Sequence, residues 1–351
     1  MRVCNACRYC EGFCAVFPAM ELRRTFTETD LTYLAHLCHN CRDCYYACQY
    51  APPHEFALNV PRTMAELRLA TYRQWTWPRG LARLFDRSAA TLTVSAAAAV
   101  LLFLALALLG GRDGVVAAQH GAGSFYRVIT YALMVVPFGL LGAGALALLV
   151  AGAWRFGRRH GPAPAGLSVW RAHGRALRDT LQLRYLAGGG HGCNYPDERF
   201  SMARRWCHHL VFYGFGACFA ATVLAFAYEH LLHRTPPYPL LSWPVIAGTL
   251  GGLALLAGTA GLLYLKARMD PEPAAGAARG LDTGFLVLLL ATSLSGLVLL
   301  ALRETAAMGS LLVVHLGIVA ALFVTMPYGK FVHAVYRYAA LVQNAREQSG
   351  D

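Results

Sequence analysis

Six apolar stretches set the limits on what this 351-residue chain can fold into, near residues 89–110, 129–153, 208–232, 243–265, 283–302 and 311–334. Each is roughly 20 residues or more, enough helix to cross about 30 Å of hydrocarbon at about 1.5 Å per residue. A backbone inside hydrocarbon must satisfy its own hydrogen bonds, and long apolar runs without alternation do so as helices. The expected fold class is therefore all-α: a six-helix transmembrane bundle over residues 89–335, embedded in a lipid bilayer. Hydrophobic residues make up 56% of the chain, above the roughly 45–50% of soluble domains, in keeping with that class.

The basic residues supply an orientation. The formal net charge is +12. Arg62, Arg68, Arg73, Arg79, Arg83 and Arg87 precede the first apolar stretch, and ten arginines from Arg155 to Arg205 fill the long loop 154–207. Lys266, Arg268 and Arg279 lie in the fourth loop, and Arg337 and Arg346 in the tail, residues 336–351. The other three loops offer only Arg112 and Arg127, then Arg234, then Arg303. Cytoplasmic loops are the basic ones, so both termini are expected in the cytoplasm of a bacterial inner membrane. The excess charge has no soluble basic domain with a recognition motif to go with it, so nucleic acid is not an expected partner.

Residues 1–88 differ in character. Thr29-Asp30 precedes Leu31 as a capped helix start, and Pro61 opens "PRTMAELRLATYRQW" as a helix that Pro78 ends or kinks. Eight of the eleven cysteines fall here, as two copies of C-x2-C-x2-C-x3-C at Cys4, Cys7, Cys10, Cys14 and Cys38, Cys41, Cys44, Cys48. Met1–Cys14 shows no apolar signal region, so a reducing compartment and metal-binding thiolates are expected rather than disulfides. In such a run three thiolates hold one iron–sulfur cluster and the fourth reaches a neighbouring one. The expected ligands are therefore crossed, Cys4, Cys7, Cys10 and Cys48 for one [4Fe–4S] cluster and Cys38, Cys41, Cys44 and Cys14 for the other. Zinc is the competing reading, although zinc sites favour separated CxxC pairs; a [3Fe–4S] form of one cluster stays open. Proline usually follows the fourth cysteine, but here Pro18 and Pro52 come late. That departure points to a small helical two-cluster domain rather than a β-rich one. His36, His39 and His54 lie near the combs and read as packing or surface residues.

Histidines at the ends of apolar stretches are the next candidates, because ionisable groups in spans are costly. In the expected topology His209 and His333 lie at the cytoplasmic side, with His208 as the alternative to His209. His230 and His315 lie at the outer side, and His233 reads as a headgroup contact. Facing helices supply bis-histidine ligation of b-type haem. One haem is expected and a second is open. His120, His160, His173 and His191 fall in loops and are not expected ligands. Tyr328 and Lys330 in "MPYGKFVH" are candidates to touch a quinone, with interfacial anchoring as the alternative.

Two segments then show a resemblance. "CRYCEGFCAVFPAM" with "CHNCRDCYYACQYAPPHEFALNVP", and "LRYLAGGGHGCNYPDERFS", resemble the tricarballylate-utilisation protein B family, also called citrate-utilisation protein B. The last span is also similar to the haem-binding span of nitrate reductase gamma subunits, where His333 and His315 match ligand places. The second ligand of the partner span has no counterpart, since Cys218 and Phe219 stand there. The family resemblance implies an electron-transfer subunit that reoxidises a separate cytoplasmic FAD-dependent flavoprotein, tricarballylate dehydrogenase, and passes electrons through Fe–S clusters and haem to membrane quinone. No GxGxxG fingerprint opens a dinucleotide fold, so flavin is expected to come from that partner. The glycine-rich loop 183–201 lacks the Gly-Lys-Ser/Thr of a phosphate loop. It reads as a cytoplasmic turn against the cluster domain or the partner, with Cys193 as a further possible ligand.

Two other readings compete. One is a tricarboxylate transporter with a redox-sensing Fe–S domain, against which stand the lack of a three-span repeat and of a charged mid-span site. The other is a redox subunit for an oxidative step of cobalamin biosynthesis. The expected orientation has a direct check: a fluorescent protein fused after Asp351 should fluoresce and alkaline phosphatase fused there should be inactive. The opposite pair of results would place the tail outside.

Overall fold

The computed structural model describes residues 1–78, 80–81, 88–109, 112–159 and 167–348. Arg79, Arg83, Arg87 and His160, and the side chain of Arg112, lie outside the described residues. The cysteine-rich segment forms short helices α1 (Arg2–Cys7), α2 (Val16–Glu21), α3 (Glu28–Leu37), α4 (Asp43–Tyr46) and the longer α5 (Val60–Trp75). The start of α3 is set by a capping box. Thr27 Oγ1 accepts from Asp30 N at 3.1 Å and the Asp30 carboxylate accepts from Thr27 N at 3.0 Å, which satisfies two donors the helix cannot. The cap thus stands two residues before the expected Thr29. Pro61 occupies the first turn of α5 and the Asn59 side chain caps it.

Six helices are long and apolar enough to cross a membrane, so the chain is a multi-pass membrane protein. After α6 (Ser88–Leu109) come two short helices, α7 (Arg112–Val116) and α8 (Ser124–Val128), and then α9 (Tyr131–Arg159). The long loop contains α10 (Val169–Leu181) and a two-stranded hairpin, β1 (Cys193–Asn194) with β2 (Phe200–Ser201), paired Cys193 to Ser201 and Asn194 to Phe200. The remaining spans are α11 (Ala203–His230), α12 (Trp243–Ala267), α13 (Arg279–Ala301) and α14 (Met308–Thr325), followed by α15 (Val332–Glu347).

Between spans there is no hydrophobic gain over lipid, so close backbone approach must supply the contact. In the α11–α12 hairpin, a β-carbon added at Gly251 would lie 2.8 Å from backbone atoms of Gly214 and Cys218, and one at Gly258 would lie 2.8 Å from the Cys207 carbonyl. Gly317 of α14 sits on α6 in the same way, with Val100 Cα 2.6 Å from where a β-carbon would stand. Ser293 of α13 donates to the Gly252 carbonyl at 2.5 Å, tying α13 to α12.

The sixth span is shorter than expected. It stops at Thr325, and residues 326–331 turn before α15 begins. Pro327 has no N–H to continue the helix, and the amides of Tyr328 and Gly329 both return to the Thr325 carbonyl, at 3.1 and 2.7 Å. His333 therefore belongs to α15, and no single helix connects it to His315.

Helix α15 is where the soluble segment and the bundle meet. Tyr336, Ala340 and Leu341 share one buried core with Tyr33, Leu34 and Leu37 of α3, with Tyr72 and Trp75 of α5, and with Phe156 at the end of α9. Arg23 Nη2 reaches Glu347 Oε1 at 2.8 Å while its Nε holds Asp30 at 2.6 Å. The residues first read as a tail are thus a packed helix. Replacing Gly251 with Leu should force α11 and α12 apart, at a cost of at least about 1–3 kcal/mol for overpacking. A lower melting temperature in detergent, with the Gly276→Leu control unmoved, checks it; at Gly276 nothing lies within 4 Å of an added β-carbon.

Candidate metal centre

Both combs fold around the same local device. Arg8 follows Cys7 and Arg42 follows Cys41 at matching places in the two runs, and both take the left-handed conformation, with φ of 56° and 75°. A left-handed residue reverses the chain sharply, which lets consecutive cysteines turn toward one region. The Cys4 thiol has Cys7 and Cys48 as charge neighbours, and Cys10 has Cys4, Cys7 and Cys48. Cys14 neighbours Cys38; Cys44 neighbours Cys14 and Cys38, and also Cys10; Cys41 neighbours Cys14 and Cys193. Cys48 thus lies with Cys4 and Cys10 of the first comb, and Cys14 with Cys38, Cys41 and Cys44 of the second. Among the described residues no three His, Cys, Asp or Glu side chains form a group that could hold a metal ion. A single zinc ion would need four donors at one point, whereas a cubane spreads its thiolates over four irons.

Burial and thiol crowding raise these cysteines. Burial, then Cys48, pushes Cys10 up to about 12, and burial, then Cys38, pushes Cys14 up to about 12. Cys44 is raised well above the ordinary thiol value, again by burial first. A metal held by these cysteines would displace their protons, and its charge would offset the burial of the thiolates.

The glycine-rich loop closes over the second comb. Asn194 N donates to Asp43 Oδ1 at 2.9 Å, and a β-carbon on Gly188 would lie 2.5 Å from Asp43 Oδ2. Gly188, Gly190 and Gly192 take φ of 55°, 113° and 100°, which explains the glycine run. Cys193 is wholly buried, interacts directly with Cys41, and its Sγ donates to the Leu186 carbonyl at 3.3 Å.

Four arginines converge on the second comb. Arg68 Nη1 donates to the Ala35 and Cys38 carbonyls at 2.8 and 2.9 Å, and Arg337 Nη2 to the Cys38 carbonyl at 3.0 Å. Arg204 donates to the Asn40 and His39 carbonyls at 2.8 and 3.0 Å. Arg42, 1% exposed, lies over the Tyr195 ring at 4.6 Å and donates to the Asp270 carbonyl at 3.1 Å. The Nε atoms of Arg42 and Arg337 are buried without a partner. Such a set suits an anionic group held by thiolates. Sequence reading counted Arg68, Arg204 and Arg337 as orientation charges; only the fold reveals their convergence with Arg42.

The histidines divide. His36 bonds Thr71 Oγ1 at 2.8 Å and stacks on Trp75. His54 accepts from Phe56 N at 3.0 Å. Both are structural. His39 is buried beside the second comb with Nδ1 on the Leu37 carbonyl, and burial, then Arg337, holds it neutral. His209 stacks on Tyr213 at 5.8 Å and leans on the exposed Trp206. Its neighbour His208 lies within electrostatic reach of His333, Arg337 and Lys330. His333 Nδ1 bonds the Lys330 carbonyl at 2.6 Å, and burial, then Arg337 and Lys330, keeps it well below the usual histidine range. His315 turns into the α13 interface, with Nδ1 on Ser295 Oγ at 2.9 Å. His230 is exposed, with Nδ1 on the Phe226 carbonyl and Nε2 on Tyr131 Oη at 2.7 Å. His233 is exposed beyond the end of α11. His120, His173 and His191 meet Glu304, Tyr338 and Phe200.

Lys330 and Lys266 both clasp the Asp282 carboxylate, at 2.7 and 3.1 Å, and Tyr328 Oη reaches the Trp77 carbonyl at 3.5 Å. Asp43→Ala should free the loop from the comb. Cys193, sealed in the folded protein, should then react with a maleimide, measured by mass spectrometry of the labelled peptide. Equal protection in both proteins would show that Asp43 does not hold the loop.

Comparison with known proteins agrees along the whole chain. Residues 1–74 match the citrate utilization protein B Fer4-like domain and residues 83–351 match citrate utilization protein B. The chain is 48% identical to citrate utilization protein B of Escherichia coli over 352 residues, covering 99% of this chain and 91% of that one. No solved structure matches. With an iron–sulfur-type segment joined to a six-span bundle, and both halves matched, the chain belongs to the citrate utilization protein B family.

Proposed function

We propose that this protein is a membrane electron-transfer subunit that reoxidises a cytoplasmic FAD-dependent dehydrogenase of a tricarboxylate, with tricarballylate as the leading candidate. Its route comprises two [4Fe–4S] clusters, one b-type haem and the quinone pool. Clusters and haem each supply one-electron redox chemistry when bound. The supporting observation is the path along α15: Arg337 donates to the carbonyl of Cys38, and His333 stands one helical turn before it. A cluster ligand and a candidate haem ligand are thus joined by one hydrogen bond and one turn of helix. The comb domain and the bundle also share a single core there, which supports a fixed separation between donor and acceptor sites.

The crossed ligand sets remain Cys4, Cys7, Cys10 with Cys48 and Cys38, Cys41, Cys44 with Cys14. For haem the geometry favours His208 over His209, because His208 is the one near His333. His333 has Nδ1 fixed by a carbonyl, which leaves Nε2, in the neutral form that binds iron. His315 is anchored similarly by Ser295 but has no histidine partner from His230. The Lys266–Asp282–Lys330 cluster at the cytoplasmic end of the spans, in this orientation, offers charged groups beside the quinone candidates Tyr328 and Lys330.

Anaerobically purified protein should hold about eight non-haem irons per chain, four per cluster, and give two reduced [4Fe–4S] signals by electron paramagnetic resonance. A dithionite-minus-oxidised spectrum should show a b-type α band, lost in His333→Ala with the iron–sulfur signals retained. Zinc in place of iron would overturn the cluster reading, and a missing α band in the parent protein would overturn the haem.

A further inference from the structure

We propose that Arg42, Arg68, Arg204 and Arg337 form a cationic shell that makes the cluster of Cys14, Cys38, Cys41 and Cys44 the higher-potential member of the pair. It is then the one from which electrons leave for the membrane. This rests on the two-cluster reading above. The four side chains come from four separate places in the fold: the comb itself, α5, α11 and α15. Three of them, Arg68, Arg204 and Arg337, donate to carbonyls of the single segment Ala35–Asn40. Among the described residues none of the four makes an ion pair with a carboxylate. The acids nearby are Asp43, within electrostatic reach of Arg204 and bonded by Asn194 N, and Asp270, within reach of Arg42 and bonded by Tyr46 Oη and Glu272 N, so two carboxylates offset four guanidinium groups only in part.

Buried cations without counter-charges are costly. A cubane held by four thiolates is an anion, and reduction adds one more negative charge to it. Fixed cations around it therefore favour the reduced state and raise the potential. Among the described residues the first quartet has one cation in reach, the N-terminal ammonium near Cys4, while Arg8, in the place that matches Arg42, is exposed with its Nε on the Asn5 carbonyl at 3.2 Å. With clusters bound, Cys4, Cys7, Cys10 and Cys48 would hold the one-electron donor of the pair and Cys14, Cys38, Cys41 and Cys44 the one-electron acceptor, with no proton required. Cys10 and Cys44, charge neighbours across the two quartets, mark the crossing. The less buried first comb would then face the donor, and the arginine-lined one faces α15.

The test is an anaerobic redox titration of the full-length protein in detergent, followed by electron paramagnetic resonance, with Cys44→Ser identifying the second cluster's signal. In the parent protein that signal should titrate at the higher potential. Arg337→Gln and Arg204→Gln should each lower it, by about tenfold in the reduction equilibrium or about 59 mV for one electron, and leave the first signal in place. Arg337→Lys, which keeps the charge, should shift it less than Arg337→Gln. A second-comb signal at or below the first, or one unmoved in both Gln variants, would overturn the proposal. If a variant loses that cluster, the order of the two signals in the parent protein decides alone. Failure of the underlying reading looks different: the parent protein would lack two cluster signals and their iron.

Discussion

The hydrogen bond from Arg337 to the Cys38 carbonyl joins the two halves of the molecule at the point where their tasks meet. It fixes α15 against the second comb, and α15 in turn carries His333 toward the bundle. The rest of α15 reinforces that placement. Asn344 receives Tyr33 Oη at 3.4 Å and Glu347 receives Arg23, so contacts to α2–α3 run along the whole helix. Burial also pushes the Arg337 guanidinium down, to about 10, with Arg68 as the next cause. The helix that joins the halves is therefore also one that brings a poorly compensated charge into the interior.

That charge sets the electrostatics of the centre. In an interior with an effective dielectric near 20, two unit charges about 8 Å apart interact by about 2 kcal/mol. On the proposed reading, four guanidinium groups around one anionic cluster would suffice to order two cysteine combs of the same spacing. The combs have the same spacing and the same left-handed arginine, and they differ in where that arginine goes. Arg8 stays at the surface, while Arg42 is drawn under Tyr195 and the 183–201 loop. Asymmetry between the combs comes from what packs over the second one.

Much of this was legible in the sequence, and the exceptions have physical causes. The six spans were readable because length and apolarity are local properties. The two combs were readable because their spacing is local, and the crossed pairing that this spacing implies is part of the proposal. The end of the sixth span was not, since the apolar run continues through Phe331 and Val332 and hides the turn that Pro327 imposes. The choice between His208 and His209 was equally hidden. Adjacent helical residues point about 100° apart, and only the position of the neighbouring helices decides which one faces inward. The loop 183–201 was seen as glycine-rich, but its purpose depends on Asp43, about 150 positions away in the chain.

The arginines show most clearly how one residue type serves two ends. A count of basic residues per loop gives a direction across the membrane, and for that count position within the loop is immaterial. Arg204 and Arg337 contribute to it like any other arginine. Yet in the fold both are turned inward onto backbone carbonyls of the comb, away from lipid headgroups. The guanidinium suits this double use: it stays charged when buried and its planar fork can reach two carbonyls at once, as Arg204 does with His39 and Asn40. A lysine in place of Arg204 would keep the loop charge and lose the paired donors. The loop charge that gives the expected orientation is thus, in part, the same charge that lies on the second comb, so on the proposed reading insertion and redox tuning constrain these positions together.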